Sequence, residues 1–268
     1  MFGANAGLRE NDTILRGMLL KTRLDKLLLA RGLAASRERA QALILAGKVL
    51  VDGQKVDKAG TAVDEEVNLR LLEQDLKYVS RGGLKLEKAL DYWHIDVTGR
   101  VCLDVGASTG GFTDCLLQHG AARVIAVDTG RGQIDYRLAQ DARVRLMEKM
   151  NARYLTPEQL GERVDFIAMD VSFISATLVL PAVVASAYLA DPAGFEGRQI
   201  VVLVKPQFES GREHVGKGGI VRDEAAQLAA LEKVRQALLN LGCQRTESIE
   251  SPILGAEGNR EFLLYGAF

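Results

Sequence analysis

Residues 101–132 read VCLDVGASTGGFTDCLLQHGAARVIAVDTGRG, and no other stretch constrains the fold as tightly. Residues 101–105 form a short, mostly apolar run that ends in a glycine-rich turn, and residues 112–119 then carry apolar side chains at helical spacing up to Gly120. A second apolar run, residues 124–127, follows at once and ends in Asp128, about twenty residues beyond the loop. Strand, tight loop, helix and strand in this order open a doubly wound α/β domain, whose ligand lies across the carboxyl ends of the strands.

The loop is GASTGG, and Ala107 stands where a dinucleotide fingerprint needs its second glycine, the one that lets backbone touch a pyrophosphate. The expected ligand therefore has a ribose, whose hydroxyls Asp128 would accept, but no phosphates. S-adenosylmethionine fits that description. Gly106, Gly110 and Gly111 also serve simple close packing of helix on strand; Asp104, Gly106 and Asp128 together are what point to a nucleoside. The candidate cofactor contacts are Asp104, Gly106, Ala107, Ser108, Thr109, Gly110, Gly111 and Asp128.

At 268 residues, 47% hydrophobic and 26% charged, the chain is globular material for one large domain or a large and a small one. Its net charge of −1 means that nucleic-acid binding would rest on local basic patches. Cys102, Cys115 and Cys243 are far apart, without CxxC spacing or histidine pairing, and read as reduced core residues of a cytoplasmic protein with no metal site. Residues 1–17 are polar, lack the apolar segment of a signal peptide and read as part of a disordered extension over 1–19. Residues 171–190 carry no charge over a length that would span a membrane. Pro181 interrupts the run, Ser172, Ser175, Thr177 and Ser186 dilute it, and Asp170 and Asp191 flank it, so a buried crossover helix is expected and stable membrane association is not.

Residues 20–72 form a small α+β unit in the pattern. Leu24, Leu27 and Leu28 make one helical stripe ended by Gly32; Ser36 caps a second helix whose Ala40, Leu43 and Ile44 face inward before Gly47. Residues 49–51 and 55–56 flank Asp52-Gly53, a hairpin signal, and residues 67–71 supply a further strand. Between Arg16 and Lys58 ten basic residues face four acidic ones. Arg37 and Arg39, in the first turn of the second helix, oppose its dipole, which suggests phosphate binding at that end. The sequence RLDKLLLARGLAASRERAQALILAGKVLVDGQKV resembles the RNA-binding domain first described in ribosomal small-subunit protein four. The resemblance implies RNA contacts from Arg23, Lys26, Arg31, Arg37, Arg39 and Lys48.

A polar connector at 73–78 is read as a linker, and residues 79–268 as the Rossmann-like domain. Arg81 in the SRGG turn is a further RNA candidate, and a helix over 84–93 places Lys85 in its first turn. Strands are expected at 144–147, at 164–170 ending in Asp170, at 199–205 ending in Lys205, and at 244–249 and 261–267. With 101–105 and 124–127 they make seven. A helix over 223–241 is expected to face inward through Leu228, Leu231, Val234 and Leu238. GREHVGK at 211–217 matches GxxxxGK, but Gly218 follows where a phosphate loop needs Ser or Thr. GKGGIVRD reads instead as a mobile basic lid over the substrate side or as a plain surface loop.

Lys85, Asp170, Lys205 and Glu261 fall at element edges that converge on one crevice in this topology. Two lysines and two acids balance, and a second ammonium with partial burial would tune one lysine toward a general base. Such a base is what a ribose 2′-hydroxyl needs before it attacks a sulfonium methyl. SRGGLKL, LDVGASTGGFTD, DTGRGQI, DVSFIS, VKPQFE, GKGGIVRD and SPILGAEGNREF together resemble the TlyA family, also labelled hemolysin A, whose catalytic domain is similar to the FtsJ rRNA 2′-O-methyltransferases. The resemblance implies methyl transfer from S-adenosylmethionine to cytidine 2′-oxygens of ribosomal RNA, with the lysine-aspartate-lysine-glutamate tetrad at Lys85, Asp170, Lys205 and Glu261. Lys205 is the expected base, Lys85 lowers its pKa, and the two acids orient the amines. A membrane-active cytolysin, the meaning of the older label, and an NAD-dependent oxidoreductase are the competing classes.

Overall fold

The computed structural model describes residues 21–34, 36–72, 77–189, 197–255 and 258–268, and the chain divides into two compact units at residue 77. The reading of residues 1–19 lies outside the described residues, as do 73–76 of the connector. Lys77 and Tyr78 belong to the second unit. Tyr78 is buried and its hydroxyl donates to Glu87 Oε1 at 2.9 Å, which ties the start of this unit to its first helix.

The first unit holds β1 (Lys21–Arg23), α1 (Leu24–Ala30), α2 (Arg37–Leu45), β2 (Val49–Val51), β3 (Gln54–Val56), β4 (Ala62–Asp64) and β5 (Leu69–Leu71). Ser36 Oγ accepts the Arg39 N–H at 3.2 Å and starts α2. Asp52 and Gly53, both at positive φ, turn β2 into β3, the conformation a two-residue hairpin requires. β2 is central between β3 and β5, while β1 pairs with β4. Leu24, Leu27, Leu28, Ala40, Leu43, Ile44 and Val49 close the core, as their helical and strand spacing requires.

The second unit opens with α3 (Gly82–Tyr92), β6 (Val101–Val105), α4 (Gly111–Gln118), β7 (Arg123–Val127), α5 (Tyr136–Ala139), β8 (Val144–Met147), α6 (Pro157–Leu160) and β9 (Phe166–Met169). It continues with α7 (Ala176–Val184), β10 (Gln199–Val204), α8 (Pro206–Glu209), α9 (Glu224–Asn240), β11 (Arg245–Glu250) and β12 (Phe262–Ala267). The sheet order is β11-β12-β10-β9-β6-β7-β8, parallel except for β12, which runs antiparallel to both neighbours. The chain winds outward from β6 through β7 to β8, then restarts at β9 on the other side of β6. That reversal between β6 and β9 opens the ligand crevice at the strands' carboxyl ends.

Alternation along the buried strands builds both faces of the core. Leu103, Val105, Ile125, Val127, Ile167, Met169, Ile200, Val202 and Val204 pack with α7 and α9. Cys102, Val124, Phe166, Ala168, Val201 and Leu203 pack with α3 and α4. The three cysteines are buried and free.

Two expectations change. Residues 171–190 do not form one helix: α7 begins only at Ala176, after Ser175 caps it, and passes into a wider turn over Ala185–Leu189. Among the described residues no helix is long and apolar enough to cross a membrane. On α9, Leu228 is exposed and Gln227 is buried in its place, because Gln227 Nε2 donates to the Val221 carbonyl at 2.7 Å. Ala230, Leu231, Val234 and Leu238 form the inward face.

Candidate active site

The loop after β6 is shaped by the loop after β9. Gly106 has φ +88°, and a Cβ there would collide with the Asp170 carbonyl oxygen. Ser108 also takes a left-handed φ of 49°, and Gly110 caps α4 at φ 96°. The Ser108 N–H donates to Asp128 Oδ2 at 2.8 Å and the Gly130 N–H to Oδ1 at 2.6 Å. Asp128, at the end of β7, thus fixes two loops and keeps further lone pairs for a ligand.

Two clefts meet along this line. One, of about 360 Å³, is lined by Val127, Asp128, Met150, Asn151, Ser172 and Phe173 among others. The other, of about 300 Å³, is lined by Ser80, Arg81, Lys85, Thr109, Gly111 and Leu254 among others. Gly106, Ser108 and Asp170 line both, so the two are lobes of one crevice.

The tetrad residues sit at or beside this crevice, in two pairs. Lys205 Nζ lies 2.5 Å from Asp170 Oδ1 and donates to Ser172 Oγ at 2.7 Å. Lys85 Nζ donates to Glu261 Oε2 at 2.5 Å. The side chains are 11% exposed at Lys205, 21% at Asp170, 10% at Lys85 and 2% at Glu261. Each ammonium therefore has its own carboxylate, so what the structure supplies is orientation of both amines by separate acids. Lys85 reaches Glu261 because the first turn of α3 faces the start of β12 across 176 residues of chain.

The cofactor candidates divide by position. Gly106, Ala107, Ser108, Thr109, Gly111 and Asp128 line the crevice. Gly110 turns the loop into α4 and leaves space for Ile134 and Leu138, whose side chains a Cβ there would meet. Asp104 lies beneath the loop, fully buried, on the strand face toward α4. Its Oδ2 accepts from Thr113 Oγ1 at 2.6 Å, and Oδ1 has no hydrogen-bond partner among the described residues. Burial pushes its pKa up to about 7, aided by repulsion from Asp170 and Asp128 and opposed by the Thr113 hydrogen bond. Between about pH 4 and pH 7 the folded chain keeps a proton that the unfolded chain has released, so stability falls as pH rises through that window, by about 4 kcal/mol in all. Asp104→Asn is expected to remove this slope and to be the more stable form at pH 8, read from urea midpoints at pH 5 and pH 8.

Several RNA candidates of the first unit are engaged within the fold itself. Arg23 Nη2 and Arg37 Nε lie 2.9 and 3.0 Å from Asp25 Oδ2, and Gln41 Nε2 donates to the same oxygen at 2.9 Å. Asp25 is fully buried, and the Arg23 guanidinium holds its carboxyl well below the usual range. Arg37 at the start of α2 thus has a carboxylate to offset the dipole, a reason for its place that needs no phosphate. Arg31 donates to the carbonyls of Val67, at 2.7 Å, and Glu65. Lys26 and Arg39 are exposed and Lys48 is half-buried. In the second unit, Arg81 donates to the Leu254 carbonyl at 3.0 Å and lines the Lys85 lobe.

Ser172, Phe173, Met150 and Asn151 were missed in the sequence. DVSFIS pointed to Asp170 alone, yet Ser172 touches Lys205, and Phe173, at φ 64° and 91% exposed, leans on Phe208 with ring centroids 5.3 Å apart. A bulky residue held at positive φ with its ring in solvent was the signal only coordinates carry. No group of side chains with metal-binding geometry occurs among the described residues.

A seven-stranded parallel sheet with one reversed strand, a glycine loop after the first strand and an acid after the second defines a methyltransferase of the Rossmann-like class. The family model of the FtsJ-like methyltransferase matches residues 78–268, and that of the S4 domain residues 22–69. The chain is 45% identical, over 92% of its own length and 90% of the relative's, to the 16S/23S rRNA (cytidine-2′-O)-methyltransferase TlyA of Mycobacterium tuberculosis. It is 41% identical, over 91% and 98%, to Hemolysin A of Brachyspira hyodysenteriae. A solved structure of a Streptococcus thermophilus protein described as a hemolysin superposes with a TM-score of 0.67 at 43% identity, covering 93% of this chain and 89% of that one. The chain belongs to the TlyA family of FtsJ-like methyltransferases.

S-adenosylmethionine is the cofactor of this class, and the residues present fit it. The Asp128 lobe offers a carboxylate for ribose hydroxyls and the apolar flanks of Val127 and Met150, while Gly106 holds the loop against β9 with no glycine at Ala107 for a pyrophosphate.

Proposed function

We propose that the chain transfers a methyl group from S-adenosylmethionine to the ribose 2′-oxygen of cytidine in ribosomal RNA, in the cytoplasm, with Lys205 as general base. The observation that carries this reading is the pairing of Lys205 with Asp170, next to the strand of loop that both lobes share. The names and lengths matched among the relatives support the choice of ribosomal RNA, and the S4 domain match supports RNA docking.

When bound, S-adenosylmethionine supplies a methyl group on a sulfonium. Lys205 Nζ, as the neutral amine, takes the 2′-hydroxyl proton as the bond from the 2′-oxygen to the methyl carbon forms and the methyl–sulfur bond breaks, the sulfur departing as a neutral thioether. Asp170, 2.5 Å away, stabilises the ammonium that results, and Ser172 Oγ, at 2.7 Å, fixes the direction of the remaining protons. Lys85, held by Glu261, presents a fixed cation to the substrate lobe, suited to an RNA backbone oxygen. Phe173 offers an exposed ring on which an unstacked base would lie. Exposed cations of the first unit, Lys26 and Arg39 among them, hold RNA by its phosphates.

Incubating the full chain with S-adenosylmethionine and separated small and large ribosomal subunits, then mapping 2′-O-methyl marks, tests the reading. New marks on cytidines are expected. Marks on bases only, or none on either subunit with cofactor binding intact, would overturn it.

A further inference from the structure

Residues 211–217 resemble a phosphate loop without its final Ser or Thr, and the structure uses the stretch differently. Residues 213–223 surround a cavity of about 320 Å³ whose lining includes His214, Lys217, Ile220 and Arg222. Asn259, 3% exposed, holds this loop from behind. Its Oδ1 accepts the Val221 N–H at 3.1 Å, its Nδ2 donates to the Gly219 carbonyl at 2.9 Å, and its own carbonyl accepts the Gly255 N–H at 2.8 Å. Gly255 lines the Lys85 lobe, and Glu261 follows Asn259 by two residues. The loop and the wall of the substrate lobe are thus one hydrogen-bonded assembly.

The charges around the cavity are unevenly committed. Glu213 Oε1 faces His214 Nε2 at 3.8 Å, Asp223 Oδ1 caps α9 through the Ala225 N–H at 3.0 Å, and Glu224 binds Arg260 at 3.2 Å. Lys217 and Arg222 are exposed and make no ion pair among the described residues. Among the described residues Asp223 and Glu224 have partners, Glu213 faces only the His214 ring, and Lys217 and Arg222 make no ion pair, on a loop whose shape is set by a buried asparagine. That combination suits an anion from outside, and the substrate lobe next to it is where an RNA strand would run.

We propose that Lys217 and Arg222 form a phosphodiester-binding site that holds the RNA strand beside the ribose seated near Lys85. The inference rests on the RNA methyl-transfer reading and extends it to the strand outside the reacting nucleotide. Arg222 would grip two phosphate oxygens and Lys217 neutralise the charge.

The test uses the full chain and protein-free ribosomal RNA as probe, comparing wild type with Lys217→Gln/Arg222→Gln. The slope of log affinity against log salt is expected to fall by about 1 to 2, the KM for RNA to rise about tenfold or more, and kcat and cofactor affinity to stay within about twofold. Arg222→Lys is expected to keep most of the slope, and each single Gln variant to lose about half of it, so the test survives instability of the double variant. Equal slopes and KM in folded proteins would overturn the site while leaving methyl transfer intact. Loss of the slope in a chain whose wild type binds RNA but methylates none would uphold the site and overturn the methyl-transfer reading. Competition by free pyrophosphate without any change in the RNA slope would reassign the site to small phosphates and overturn its RNA role.

Discussion

Lys205→Ala is expected to lower kcat for methyl transfer by about 10³-fold or more, the upper range for loss of a positioned general base. Lys205 Nζ lies at hydrogen-bond distance from two partners, Asp170 Oδ1 and Ser172 Oγ, at the start of α8, where Pro206 fixes the backbone that follows. Alanine removes the amine and leaves the half-buried Asp170 carboxylate without its partner, so some stability is lost as well. Lys205→Arg separates these effects. A guanidinium keeps the charge beside Asp170 but does not give up a proton in this pH range. It should therefore restore folding and cofactor binding, read as a rise in melting temperature with S-adenosylmethionine, while activity stays lost. An active Lys205→Arg enzyme would show that a positive charge suffices and that no base acts there.

Gly106→Ala is expected to abolish cofactor binding and to destabilise the second unit by more than backbone strain alone. At φ +88° an L-residue costs about 1 to 3 kcal/mol, and here the added Cβ also meets the Asp170 carbonyl oxygen, so the loops after β6 and β9 must part. Asp170 and Ser108 would both move, and with them both lobes of the crevice. Gly99→Ala is the matched control: φ is +71° but nothing lies within 4 Å of the new Cβ. It should show the strain without loss of cofactor binding, measured by urea midpoint and by the cofactor's effect on melting temperature. Equal behaviour of the two variants would mean that the close approach at Gly106 has no bearing on the site.

Much of the fold was legible because its signals are local. A buried parallel strand is a short apolar run, and residues 101–105 and 124–127 stand out as such, with only Arg123, the first residue of β7, left out. The hairpin at Asp52-Gly53 and the cap at Ser36 are likewise written in two or three neighbouring residues. α5, α6 and α8 escaped notice, since four residues hold too little periodicity to register. Strands β1 and β4, three residues each, lie 39 residues apart from Arg23 to Ala62 at nearest sequence approach and show themselves only when paired. Leu228 misled because spacing reports which residues share a face, not which face turns inward. The need of the Val221 carbonyl for a donor brought Gln227 inside instead.

The site divides in the same way. Residue types and local motif positions determined that a glycine loop follows one strand, that acids end two others and that a lysine ends a fourth, because each sits at the end of its own apolar run. Only the tertiary structure decided which lysine meets which acid, that Ser172 joins Lys205 and that Phe173 stands in solvent. It also decided that Arg23 and Arg37 share the buried Asp25. Periodicity carries information over about one turn or one pleat, whereas the Lys85–Glu261 contact joins residues 176 apart and exists only because the sheet brings β12 back beside α3.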